Sequence, residues 1–195
     1  MPYLLLLIPI FFSLSYLVAR KYIFSPLMTL SCAALVLCKQ PIMGAALVMS
    51  AVGDWFMAHK GTRTDVYRLG ILGFFIAHAL FIVYATTRIK TVVVPLIIGL
   101  AMVIGYALYL TRRVLPRTPA MLKFPAALYA AISLAGFTCA MMTREPLYII
   151  GIGLLLFSDT AIAENDFVHN ARAGILILPT YHLCQLFVAL SALIQ

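Results

Sequence analysis

Residues 91–111 read TVVVPLIIGLAMVIGYALYLT, without a charged side chain anywhere in the run. A helix rises about 1.5 Å per residue, so a run of this length crosses a hydrocarbon core of about 30 Å. A membrane β-barrel would instead alternate apolar and polar positions in segments of about ten residues, and the run does not alternate. Similar runs recur at roughly 2–19, 23–38, 42–59, 68–87, 120–142, 146–164 and 171–194, joined by short loops. The expected fold is therefore all-α: an integral membrane bundle of eight transmembrane helices, forming one polytopic domain over residues 1–195. The second span is short and carries Pro26 near its start, so seven is the alternative count.

Composition agrees with this reading. Of the 195 residues, 64% are hydrophobic and 10% are charged, with a mean hydropathy of +1.06. A soluble domain carries about 25% charged residues. This chain could not cover a water-facing surface, which excludes a soluble domain, a disordered tail and a coiled coil. The net charge of +8 lies in scattered loop residues and reads as attraction to anionic lipid, so no nucleic-acid partner is expected.

The same loop charges orient the chain. Met1-Pro2-Tyr3 has no basic n-region, and Arg20-Lys21 follows the first apolar run, so that run is not read as a cleavable signal. Loops after the odd-numbered spans hold Arg20, Lys21, Lys60, Arg63, Arg68, Arg112, Arg113, Arg117, Lys123 and Arg172. Loops after the even-numbered spans hold only Lys39, Arg88, Lys90 and Arg144. The positive-inside rule puts the richer set in the cytoplasm and both termini outside, in a multi-pass protein of the cell membrane.

Ionisable groups inside a bilayer are costly and mark candidate sites. Asp65 and Glu145 sit among loop arginines, and Glu164 and Asp166 close the seventh span. That leaves Asp54 in Ser50-Ala51-Val52-Gly53-Asp54-Trp55 and Asp159 in Phe157-Ser158-Asp159-Thr160. Each lies roughly 18–20 Å from the outer end of its span, so both carboxyl groups are expected at one level in the cytoplasmic half. His78 on the fourth span and Tyr181, His182 and Gln185 on the eighth lie just beyond that level. Tyr181 and Gln185 share a face, from which His182 is rotated by about 100°. His182 reads as a packed core histidine, whereas His78 follows Asp54 across one hairpin and reads as functional. Asp54 precedes His78 by 24 residues and Asp159 precedes His182 by 23, which suggests two parallel four-helix halves. Cys32, Cys38, Cys139 and Cys184 fall within spans without metal-ligand spacing and read as packing residues.

Several stretches carry a resemblance. Gly53-Asp54, a short basic loop and the Gly70–Phe81 segment resemble the GD…G-x-x-x-F-x-x-x-H pattern of the YhhN-like membrane family. Ser158-Asp159-Thr160-Ala161-Ile162-Ala163-Glu164-Asn165-Asp166-Phe167 is similar to its S-D-x5-N-x-F segment. Thr180-Tyr181-His182-Leu183-Cys184-Gln185 resembles T-Y-x-x-Q, and Pro125 to Tyr129 resembles P-x-x-x-Y. The match is ordered over about residues 22–190. Ser25-Pro26 stands where the family often has Lys-Pro. The resemblance implies an eight-helix enzyme, a lysoplasmalogenase, that hydrolyses the vinyl ether bond of lysophospholipids to a fatty aldehyde and glycerophospho-ethanolamine or -choline.

A vinyl ether is cleaved by protonation of its β-carbon, addition of water to the oxocarbenium ion and collapse of the hemiacetal. One carboxyl group must deliver a proton while another stabilises the cation and guides water. Two carboxyl groups sharing a low-dielectric site divide in this way, since they do not both ionise readily, and glycosidases use the same division. Asp54 and Asp159 are the expected acid and base pair. His78, Asn165, Tyr181 and Gln185 would orient water and glycerol oxygens. Ser158 would bond a neighbouring carboxylate or cap a helix break, and Tyr129 is a further binding candidate. No cofactor or metal is called for. The rival reading is a proton-coupled transporter or lipid scramblase that uses the same aspartates. A zinc hydrolase ranks last, because no closely spaced ligand pair is present.

The charge bias makes one outcome testable at once. A reporter fused after Gln195 should read as external and one inserted at 62–64 as cytoplasmic; a cytoplasmic C-terminus would overturn the orientation.

Overall fold

The computed structural model describes residues 5–19, 21 and 23–194. Met1 to Tyr3, Arg20 and Gln195, on which part of the orientation argument falls, lie outside the described residues. Among the described residues eight α-helices follow one another: α1 (Leu7–Ala19), α2 (Phe24–Val36), α3 (Pro41–Ala58), α4 (Thr64–Thr86), α5 (Val93–Tyr109), α6 (Ala120–Thr143), α7 (Pro146–Phe167) and α8 (Ala171–Leu193). A π-helical turn, Leu110–Val114, extends α5.

Proline explains several boundaries. Pro41 and Pro146 open α3 and α7 where a helix needs no backbone donor, and Pro26 sits in the first turn of α2 for the same reason. Gln40, held extended before Pro41 (φ −133°, ψ 78°), separates α2 from α3. Pro125 and Pro179 are tolerated inside α6 and α8. Near Pro179 the Thr180 hydroxyl donates to the Leu176 carbonyl (2.7 Å), an added bond next to the Ile175 carbonyl that the proline leaves without its ladder N–H.

The expectation of eight spans is met in part. Among the described residues six helices are long and apolar enough to cross a membrane: α3, α4, α5 with its π turn, α6, α7 and α8. The helices α1 and α2 have 13 residues each, about 20 Å of rise, short of a hydrocarbon core. The run at 23–38 is longer than α2, because Ile23 precedes the helix and the chain turns at 37–39, where the Lys39 and Gln40 N–H groups close onto the Val36 carbonyl. Cys38 consequently lies beyond the end of α2 and is exposed rather than packed within a span. The start of α4 moves the other way, four residues before the expected 68, so Asp65 and Arg68 stand on its first turns.

Helix pairing reveals the symmetry. In each half, consecutive helices pack together: α1 on α2, α2 on α3 and α3 on α4; then α5 on α6, α6 on α7 and α7 on α8. Between halves, α2 packs on α8 and α4 on α6, while α3 touches α8. The Tyr148 hydroxyl of α7 donates to the Phe81 carbonyl of α4 (2.7 Å), which joins the remaining cross pair. Exchanging α1–α4 with α5–α8 maps these pairings onto one another.

The core sits along α2, α3, α4, α7 and α8, where alanines such as Ala33, Ala46, Ala77, Ala189 and Ala192 let backbones approach. The helices α3 and α4 approach closely: a Cβ on Gly73 would lie 2.8 Å from the Gly53 nitrogen. By contrast α5 lies at the edge, with Leu96, Ile97, Leu100 and Ile104 exposed as a lipid-facing surface. One end of the bundle gathers the α3–α4, α5–α6 and α7–α8 connections and is held by ion pairs. Arg113 makes two bonds to Glu164 of α7 (2.5 and 2.9 Å), and Glu164 also accepts from Tyr109 (2.8 Å) and Asn170 (3.1 Å). At the other end the Lys39 ammonium donates to the Leu193 carbonyl at the C-terminus of α8 (2.9 Å), where a helix favours positive charge.

Gly73→Val should drive α4 off α3 and lower thermal stability in detergent by about 1–3 kcal/mol, the usual cost of overpacking. Gly105→Ala, on an open face of α5, should be neutral or slightly stabilising. Equal effects would contradict the packing described.

Candidate active site

Asp54 and Asp159 each stand 13 residues after the first residue of their helices, Pro41 and Pro146. That is about 20 Å of rise, so the two carboxyl groups reach the same level, nearer the basic end. Both are almost fully enclosed, with Asp54 8% exposed and the Asp159 side chain 7%.

Their surroundings are built from corresponding positions of the two halves. Asp54 Oδ2 accepts hydrogen bonds from Thr29 of α2 (2.8 Å) and Tyr181 of α8 (2.9 Å). Asp159 Oδ2 accepts from Ser133 of α6 (3.3 Å) and lies 3.5 Å from Nε2 of His78 on α4. Thr29 precedes Asp54 by 25 residues, and Ser133 precedes Asp159 by 26. One turn before each of these hydroxyls, Ser25 and Tyr129 place a further buried hydroxyl beside the same carboxyl, without a hydrogen bond of normal geometry. The helix crossings correspond too. Where Gly53 meets Gly73, the second half has Ser158 donating to the Ile177 carbonyl (3.0 Å).

The repeat therefore holds with a different partner from the one expected. Across the halves His78 corresponds to Tyr181, not His182. Rotated away on α8, His182 faces α1, with Nδ1 2.9 Å from the Ser13 hydroxyl and its ring edge-on to Tyr16. The tautomer of His78 follows from its neighbours. Nδ1 lies 3.0 Å from the Phe74 carbonyl, which can only accept, so in the neutral ring Nδ1 carries the hydrogen and the Nε2 lone pair faces Asp159. The Tyr129 ring packs edge-on against His78 at 5.2 Å.

Asp54 and Asp159 open onto one cavity of about 350 Å³. Tyr181 and Asn165 are in its wall, with Tyr16, Ser25, Lys60 and Asp166. A narrower apolar cleft of about 60 Å³ adjoins at Asp159 and is lined by Ile71, Phe74, Leu110, Tyr129 and Ile162. Thus the structure brings Asp54, Asp159, Asn165 and Tyr181 to one cavity, with Tyr129 in the adjoining cleft and His78 behind Asp159. Ser158 and Gln185 are in neither wall. Ser158 is fully buried and bonded to α8 rather than to a carboxylate, and Gln185 is fully buried one turn beyond Tyr181.

Sequence reading missed Thr29, Ser133 and Ser25, along with the Lys60–Asp166 ion pair, which had been read as loop and interfacial charges. Hydroxyl residues are common in apolar helices, so singly they carry no signal. Their recurrence did: Ser25 and Thr29, then Tyr129 and Ser133, are pairs four apart at matching distances before each aspartate.

The model of the YhhN family matches residues 20–192. The chain belongs to the YhhN family. Comparison with curated proteins and with solved structures returns no match. The family match takes in α2 to α8, and so all the carboxyl partners described, but stops short of α1. This YhhN-family chain uses α1 to supply Tyr16 to the cavity and Ser13 to His182. Ser25 faces the same cavity. Among the described residues the only Lys or Arg in that wall is Lys60, on the α3–α4 connection.

Proposed function

We propose that this YhhN-family protein is a membrane-embedded hydrolase that cleaves the vinyl ether bond of lysoplasmalogens, releasing a fatty aldehyde and a glycerophospho-alcohol. The observation that carries the reading is two buried carboxyl groups at one level on one cavity, with unequal partners. Vinyl ether cleavage asks for such an inequality, because one group gives a proton to carbon while the other faces the cation.

The partners suggest how the roles divide. Asp54 receives two short hydrogen bonds from hydroxyls, as an anion does, and is assigned to stabilise the oxocarbenium ion and to guide water. Asp159 accepts one longer hydrogen bond, from Ser133 (3.3 Å), faces the His78 lone pair and borders the apolar cleft. It is assigned as the acid. Its proton passes to the β-carbon of the alkenyl chain, whose first carbons lie against Phe74 and Ile162. Water adds to the other vinyl carbon and gives up a proton to the carboxylate pair. The hemiacetal C–O bond then breaks as the pair gives a proton to the glycerol oxygen and takes one from the hemiacetal hydroxyl, which leaves the aldehyde and restores the acid. Tyr181 and Asn165 orient the glycerol side, and His78 keeps Asp159 in place. Ser158 acts on α8, which carries Tyr181, rather than on substrate.

The transporter or scramblase reading draws on the same paired halves, which also occur in transporters. Substitution separates the two. Asp54→Asn and Asp159→Asn keep size and hydrogen-bonding capacity but can supply neither acid nor anion. Each should lower aldehyde release at least ~100-fold, while binding of a non-hydrolysable alkyl ether lysolipid changes little. Wild-type turnover should slow in heavy water, and His78→Ala should be milder than either Asn variant. A folded Asn variant with near-normal turnover would sink the mechanism, as would parallel loss of binding and turnover in both.

A further inference from the structure

The Lys60–Asp166 pair is not absorbed by that chemistry, yet it occupies the wall of the same cavity. Lys60 Nζ is ion-paired with Asp166 and stands over the Tyr67 ring, 4.7 Å from its centre. Asp166 has two further donors: the Tyr67 hydroxyl to Oδ2 (2.9 Å) and the Asn165 amide to Oδ1 (3.0 Å). The pair also lines a second, outer cavity of about 230 Å³, bounded by residues 60–64, Tyr67, Pro119 and Phe167. Lys60 and Asp166 thus stand where the aspartate cavity meets the basic end of the bundle.

Resting on the lysoplasmalogen reading, we propose that Lys60 and Asp166 form the head-group site, Lys60 binding the phosphate diester and Asp166 the ammonium of an ethanolamine head group. Length supports this. In such a lipid five bonds separate the ether oxygen from phosphorus and four more lead to nitrogen, about 6 Å and about 11 Å along an extended chain. Asp166 follows Asp159 by seven residues on one face of α7, roughly 10 Å of rise, and Lys60 lies two residues past the end of α3, which runs on about 6 Å beyond Asp54. A lipid with its ether oxygen between the aspartates therefore brings its phosphate within reach of the flexible lysine and its nitrogen to Asp166.

Charge supports it as well. Breaking a half-buried ion pair is costly if one member is left alone. A zwitterionic head group leaves neither alone: the phosphate replaces Asp166 as partner of Lys60, and the ammonium replaces Lys60 as partner of Asp166. Tyr67 and Asn165 hold the carboxylate in place during the exchange. A choline head group has no N–H to donate to Asp166, so ethanolamine is the better match.

The test compares kcat/KM for aldehyde release from alkenyl lysophosphoethanolamine, its choline analogue and alkenylglycerol, which lacks the phosphate. In Lys60→Gln the preference for the phosphoethanolamine lipid over alkenylglycerol should fall about 10- to 100-fold, mainly through KM, as for loss of a charged hydrogen bond. Lys60→Arg should keep most of that preference, and Asp166→Asn should reduce the preference for ethanolamine over choline. If Lys60→Gln lowers turnover of lipid and alkenylglycerol equally, the pair only holds the fold and the proposal is overturned. If the wild type releases aldehyde from none of the three, the hydrolase reading fails separately. Binding of alkyl lysophosphoethanolamine against alkylglycerol then decides the head-group site: a preference lost in Lys60→Gln supports it, and no preference in the wild type overturns it.

Discussion

A carboxyl group deep in an apolar bundle must find its partners on other helices, since its own helix has spent its backbone groups on the ladder. Asp54 solves this by drawing α2 and α8 onto a single oxygen through Thr29 and Tyr181. Asp159 solves it with α6 and α4 through Ser133 and His78. Each aspartate thus holds together three helices, one of which belongs to the other half of the chain. The cross-half packing of α2 on α8 and α4 on α6 follows from the same demand. In a membrane, where lipid tails solvate apolar side chains as well as a protein core does, such polar ties and close small-residue packing supply much of the specificity of helix association.

Two halves with matching parts need not stay chemically equal. Thr29 matches Ser133, Ser25 matches Tyr129 and Tyr181 matches His78, yet the members of each pair differ in reach or in donor capacity. A phenol donates to Asp54 where an imidazole lone pair meets Asp159. The apolar cleft adjoins only Asp159, and the Lys60–Asp166 pair closes the basic side of the shared cavity. A symmetric scaffold thereby becomes a site with an apolar side and an ionic side, which suits a lipid with one long chain and one zwitterionic head group.

Much of this was legible in the sequence. Long charge-free runs announced the helices, and the count of residues from each span's start put Asp54 and Asp159 at one depth, because helical rise is nearly constant. Lateral position was harder to read. Whether Tyr181 or His182 faces Asp54 turns on 100° of rotation about α8, and the packing against α1 settles it. The Lys60–Asp166 contact joins residues 106 apart, and local pattern carries no signal for a pairing at that distance. The shortness of α2 escaped for another reason: apolar residues can line a turn as well as a helix, so an apolar run sets an upper limit on helix length.

The central claim is that a buried carboxyl group protonates carbon, and the saturated counterpart of the substrate tests it most directly. An alkyl ether lysophospholipid has the same chain and head group but no double bond to protonate. Purified wild-type protein in detergent should release fatty aldehyde from the alkenyl lipid and nothing from the alkyl one, while binding both. Release of a chain fragment from both lipids, or from neither when both are bound, would contradict the account.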